Sequence, residues 1–180
     1  MAEPLDATPA SAHDPGQGLA EALASVDPGP ALAEVMASVL ESHGDRPALG
    51  ERARDPETGC LLPRFDTISY RELWSRVRAL AGRWHHDPEY PLGPGDRICT
   101  LGFTSTDYAT LDLACIHLGA VPVPLQSNAP LPQLAPIVEE SGPTVLAASV
   151  DRLDTAVDLA IASSTIRRLV VFDHRPGTAG

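Results

Sequence analysis

Two short polar runs, Thr104-Ser105 and Gln126-Ser127-Asn128, each follow a β-branched, strand-like stretch. Hydroxyl and carboxamide side chains in that place can grip a small ligand, because open parallel sheets bind outside the carboxyl ends of their strands. The same residue types are also ordinary turn and N-cap formers. The structural role is preferred, and the five residues stand as weak strand-end rim candidates for binding. Asp107 and Asp112 are too far apart in helical phase to share a face, which argues against paired acid–base work. Asp112 lies in an apolar helical stretch. It either is buried against a partner such as Arg97 or a backbone donor, or marks the helix's exposed edge; the second reading is preferred. His85-His86-Asp87 offers metal-ligating types, but adjacent histidines on a helix diverge and no second cluster completes a tetrahedral set. His117, at a helix end beside Gly119, reads as dipole-stabilised or solvated and not as a base. No catalytic residue and no metal ligand is assigned.

The composition narrows the chemistry further. Among 180 residues there are 13 arginines and no lysine. A Schiff base, a Walker lysine and a lysine clamp on an acyl phosphate are therefore excluded for this polypeptide. Neither GxGxxG nor GxxxxGK[ST] occurs, and Gly93-Pro94-Gly95 reads as loop punctuation because proline removes a donor that a phosphate cradle needs. The net charge of −11 argues against nucleic-acid binding. Cys60, Cys99 and Cys115 are widely spaced and read as free thiols in a reducing cytoplasm. No basic n-region with an apolar h-region opens the chain, and no run approaches 18 apolar residues, so neither a signal peptide nor a membrane span is read.

The elements that must carry these residues follow from punctuation and period. Residues 1–29 are Pro/Ala-rich, read as disordered or weakly helical, with a weak helix over Gln17–Ser25. From Pro30 to about Ser42 a helix is expected, with Leu32, Val35, Met36 and Val39 sharing its face and Gly44 as left-handed cap. Pro47–Arg52 and Cys60–Ile68 read as a hairpin about the turn Asp55–Gly59. Ser69-Tyr70-Arg71-Glu72 matches a capping box opening a helix to about His85. Strands are expected at Arg97–Leu101, Val121–Leu125, Thr144–Ala148 and Arg168–Phe172. Helices are expected at Thr106–Leu118, Leu131–Ser141 and Asp151–Ala162, with Pro136 distorting the second. Thr104 or Ser105 is the cap of the first, and Pro122 and Pro124 favour a sheet edge. This alternation predicts an α/β fold of βα units, with a mostly parallel sheet and helices on both faces.

Three stretches, in order, resemble adenylate-forming enzymes. They are HGDRPALGER (43–52), TISYRELWSRVRALA (67–81) and IHLGAVPVPLQ (116–126). The closer resemblance is to carboxylic acid reductases, carried also by LLPRFDTISYRELWSRV, WHHDPEYPL, GFTSTDYATLDLACIHLGAVPVPLQ and QLAPIVEES. It covers about Ala31 to Pro176 and implies a partial N-terminal subdomain of an adenylation domain over residues 30–180. It implies an enzyme that activates a small carboxylic acid with ATP and Mg as an acyl-adenylate. The acyl group then passes to a phosphopantetheine thiol on a carrier domain, and a reductase domain releases the aldehyde with NADPH. The family's ATP loop with its lysine, its ribose-binding acidic motif and its C-terminal lysine have no match here. No cofactor and no activity are therefore expected for this chain alone. Its expected partners are the remainder of the adenylation domain and the carrier and reductase domains, not nucleic acid or membrane. Tyr70, Glu72, Leu73, Gly119, Pro122 and Pro124 match family positions that serve as scaffold. Two alternatives stay open: the front part of a fatty acyl-AMP or acyl-CoA ligase, and a non-catalytic α/β interaction module.

Overall fold

Four short strands that are apolar on both faces need cover on both sides, and among the described residues α-helices supply it on each face. The computed structural model describes residues 31–56 and 58–174; the expected weak helix over Gln17–Ser25 and the rest of residues 1–29 lie outside them. In chain order the elements are α1 (Leu32–His43), β1 (Pro47–Arg54), β2 (Leu61–Ser69), α2 (Tyr70–His85), β3 (Arg97–Leu101), α3 (Thr106–Leu118), β4 (Val121–Leu125), α4 (Leu131–Ser141), β5 (Val145–Ser149), α5 (Leu153–Ala162) and β6 (Arg168–Phe172). A single 3₁₀ turn, Val150–Arg152, precedes α5, so the expected helix start at Asp151 is a tighter turn.

β1 and β2 pair antiparallel, while the second sheet runs β4-β3-β5-β6 and is parallel throughout. Alternation along β3 and β5 divides two cores. Ile98, Val145 and Ala147 meet Leu111 and Cys115 of α3, Trp84 of α2 and Phe172. Cys99, Leu101, Leu146 and Ala148 meet Leu134 and Val138 of α4 and Ala156 and Leu159 of α5. The placement follows from right-handed crossovers. The β3–β4 step moves one way along the sheet with α3 on one face. The steps to β5 and β6 move the other way, with α4 and α5 on the opposite face. A third core, Leu40, Leu73, Trp74, Val77, Ala81 and Ala114, joins α1, α2 and α3.

β4 is an edge strand among the described residues, as its prolines require. Val121 N–H donates to Asp96 O at 2.7 Å, so alternate residues Val123 and Leu125 also face β3. Pro122 and Pro124 then place their missing donors on the outer side. α4 runs through Pro136 and ends at Gly142 with φ 56°. Two expectations are corrected. On α1, Leu32, Val35 and Val39 are exposed, and Leu40, Met36 and Ala37 pack inward; α2 and the hairpin lie on that side. The capping box forms by half. Ser69 Oγ accepts from Glu72 N–H at 3.1 Å, but the Glu72 carboxylate turns to Arg76, 2.6 Å away one turn on.

Candidate functional site

The register that pairs Leu101 with Leu125 brings the two polar runs out side by side at the carboxyl edge of the sheet. β3 connects one way and β5 the other, so this edge is also where the chain reverses direction, the usual place for a ligand in an open α/β sheet. The five rim candidates are thus assembled, but they are not aimed together. Ser105 is the N-cap of α3, accepting from Tyr108 N–H at 3.1 Å. Thr104 is exposed beside it. Gln126 opens a turn closed by Ala129 N–H at 3.0 Å, with Gln126 and Asn128 exposed and Ser127 half-buried.

A residue the sequence did not single out decides the electrostatics here. Glu51 of β1 reaches the first turn of α3, where its Oε1 accepts from Thr106 N–H in a short hydrogen bond. A helix N-terminus attracts anions through its free N–H groups and its dipole. In this fold Ser105 Oγ and the Glu51 carboxylate already fill that role. The two partners lie 55 residues apart, so no local motif announces the contact.

Across the reversal point, on the side of β5 and β6, the structure gathers a second cluster. Ser149, buried at the end of β5, donates to Asp151 in a short hydrogen bond. Arg152 lies over the Phe103 ring at 5.4 Å. Its Nε sits 3.4 Å from Asp151 Oδ2 yet is buried without an aligned hydrogen bond, so the pair is held by charge more than by direction. Asp173, at φ 58°, accepts from Val150 N–H at 2.9 Å. Gly102 allows this closeness: a Cβ there would stand 2.6 Å from Phe172 Cζ and 2.9 Å from Ser149 Oγ. The only signal for this group in the sequence is its position just past strand ends.

The remaining candidates are dispersed. Asp112 corrects its expectation: it is half-buried rather than an exposed edge, and its Oδ1 is enclosed with neither Arg97 nor a backbone donor to satisfy it. Burial holds its carboxyl above the ordinary range. Burial, with a smaller contribution from the Asp112 charge, pushes the Cys115 thiol up to about 12. Asp107 sits in the first turn of α3. His117 is exposed, with its ring edge-on to Trp74 at 5.0 Å. His85 and His86 stack edge to face at 4.9 Å. Asp87 caps its own loop, accepting from Tyr90 N–H at 2.8 Å and pairing with Arg168 at 2.9 Å. The Tyr90 N–H chiefly holds its carboxyl below the usual range. Among the described residues no three His, Cys, Asp or Glu side chains converge as a metal site would require.

The match to known proteins covers this whole framework. A family model described as AMP-binding enzyme matches residues 37–177. Carboxylic acid reductase of Mycobacterium tuberculosis is 51% identical over 144 residues, which are 76% of this chain and 12% of that protein. Among solved structures, the A-PCP didomain of carboxylic acid reductase from Segniliparus rugosus in complex with AMP superposes with a TM-score of 0.77 at 46% identity, covering 88% of this chain and 23% of that one. The adenylation domain of the carboxylate reductase from Mycobacterium chelonae gives 0.74 at 45% identity, covering 87% and 25%. The chain thus spans 12% of the length of the curated relative and about a quarter of the solved domains.

Proposed function

The chain belongs to the AMP-binding enzyme family, and from that premise we propose that it forms the front part of the adenylation domain of a carboxylic acid reductase. The 51% identity to such an enzyme over 144 residues carries this reading; the likeness to solved CoA ligases at 15–18% identity speaks only to the fold. Residues 30–180 are the adenylation-domain part, with 1–29 a leading segment. The complete protein activates a small carboxylic acid with ATP, loads it on a phosphopantetheine-bearing carrier, and reduces the thioester with NADPH. Use of ATP and NADPH, together with free cysteines of which Cys60 is exposed, supports a reducing cytoplasmic location.

Within this assignment the chain is scaffold. Its sheet edge does not fit a nucleotide phosphate: Ser105 and Glu51 accept from the Tyr108 and Thr106 N–H groups at the start of α3, and Arg152, a cation near this edge, is already beside the Asp151 carboxylate. Thr104, Ser105, Gln126, Ser127 and Asn128 shape the strand-to-helix connections that later residues build upon. Acyl-adenylate formation depends on electrostatic stabilisation of phosphate oxygens, and the described residues offer no built site for that. Carboxylate-dependent ATP–pyrophosphate exchange, run with a panel of aliphatic and aromatic acids, tests the reading. The 180-residue chain shows no exchange. A protein extended through the rest of the domain shows it, and with carrier and reductase domains it consumes NADPH and yields aldehyde. Exchange by the short chain, or a CoA thioester as the product of the long one, overturns the proposal.

A further inference from the structure

One surface runs against the charge of the whole molecule. The net charge is −11, yet α2 carries four arginines, Arg71, Arg76, Arg78 and Arg83, against the single carboxylate of Glu72. Arg76 is held by Glu72 and Arg71 by Asp45. Arg78 and Arg83 are exposed and have no ion pair among the described residues. Between α1 and α2 runs an open groove of about 550 Å³, lined by Glu41, Arg71, Trp74, Ser75, Arg78 and Ala79. Its floor is organised: the Trp74 indole N–H donates to Glu41 Oε1 at 3.0 Å, which occupies the one acid lining the groove. Ser75, Ala79 and Gly82 follow at helical spacing along α2, and small side chains let a third helix approach closely.

We infer that the α1–α2 groove is a docking surface for an acidic amphipathic helix of a partner protein, its carboxylates meeting Arg78 in the groove and Arg83 beyond its end, and its apolar side meeting Ala79 and the narrow edge that Trp74 leaves uncovered. Polyanions such as nucleic acid or an anionic bilayer present charge over long distances and meet the repulsion of the whole chain. A short helix presents it within about one Debye length, ~8 Å, where the local arginines dominate. The inference does not rest on the reductase assignment, since the groove is built from α1 and α2 alone.

The test uses the full chain and a fluorescein-labelled 18-residue peptide of Glu, Leu and Ala, patterned with one acidic and one apolar helical face. Fluorescence anisotropy at about 150 mM NaCl, where the screening length is ~8 Å, is expected to give saturable, one-to-one binding. Arg78→Glu with Arg83→Glu is expected to weaken it at least tenfold while far-UV circular dichroism stays unchanged. A peptide of the same composition with the pattern scrambled binds at least fivefold more weakly. Arg167→Glu, which reverses an exposed charge near β6, leaves binding within twofold. Absence of saturable binding, equal loss in Arg167→Glu, equal binding of the scrambled peptide, or displacement of the peptide by self-association of the chain overturns the inference; the last would make a second copy the occupant. If the double reversal unfolds the chain, Ala79→Trp, which fills the groove and keeps every charge, must abolish binding instead.

Discussion

At the scale of single residues, the structure turns on places where one atom more or one charge more is felt. Gly102 is the sharpest. A methyl group there meets Phe172 and Ser149 inside contact distance, so Gly102→Ala must shift the β6 end or the Ser149–Asp151 link. We expect a loss of about 1–3 kcal/mol, the usual cost of overpacking, read as a lower urea midpoint. Asp112 is the other. Its folded pKa lies above its unfolded value because burial disfavours the charge. The folded state therefore keeps a proton that the unfolded chain has released. The resulting penalty is absent below the unfolded pKa, grows as pH rises toward the folded pKa, and stays constant above it. Asp112→Asn is thus expected to gain stability relative to the parent at pH 7 but not at pH 4. Urea melts at both values check the sign, and an equal offset at the two pH values would refute it. The apolar helix around Asp112 is legible in the sequence, but the preferred exposed edge is not where Asp112 lies, because its burial depends on what packs against α3 from elsewhere.

At the scale of elements, local punctuation was legible and distant contacts were not. Gly119 and Gly142 adopt the left-handed conformation at the ends of α3 and α4, so those helices end where glycine predicts. RICTL, VPVPL and RLVVF are strands to the residue, each a short run bounded by turn formers. The inward face of α1 was misread for a physical reason. Its apolar residues spread around enough of the axis that amphipathicity alone does not select Met36, Ala37 and Leu40 over Leu32, Val35 and Val39; only α2 does. Glu51 likewise became visible only with β1 placed beside α3. Removing it should loosen that junction: Glu51→Ala is expected to cost on the order of 1.5–3 kcal/mol, the range for a hydrogen bond to a charged group. Glu51→Gln, which keeps an acceptor, should cost less. Thermal melts of the two variants rank them, and identical melts would deny the contact its role. On β4 the prolines act by omission. Pro124→Val restores an N–H on the outer side of β4, an edge among the described residues, and edge donors invite pairing between chains. Light scattering after size exclusion should show more self-association than in the parent.

At the scale of the whole molecule, the α/β class and the two-faced sheet followed from the alternation of elements, but the strand order did not. Nothing local in β5 says that it pairs with β3 rather than β4. That order is fixed by which partner buries Leu146 and Ala148 against α4 and α5 while placing Val145 and Ala147 against α3. Family membership was legible earlier than order, through stretches such as IHLGAVPVPLQ, because they specify a helix stop and an edge strand together. The order β4-β3-β5-β6 also sets a clock during synthesis. β3 and β4 leave the ribosome first and can pair at once, but β3's other side waits for β5, whose last residue lies 24 positions beyond the end of β4. At roughly 5–20 residues per second, β3, an interior strand of this sheet, spends about 1–5 s with one side uncovered. Codon choice between Leu125 and Ser149 thereby sets how long a nascent chain remains open to mispairing with its neighbours.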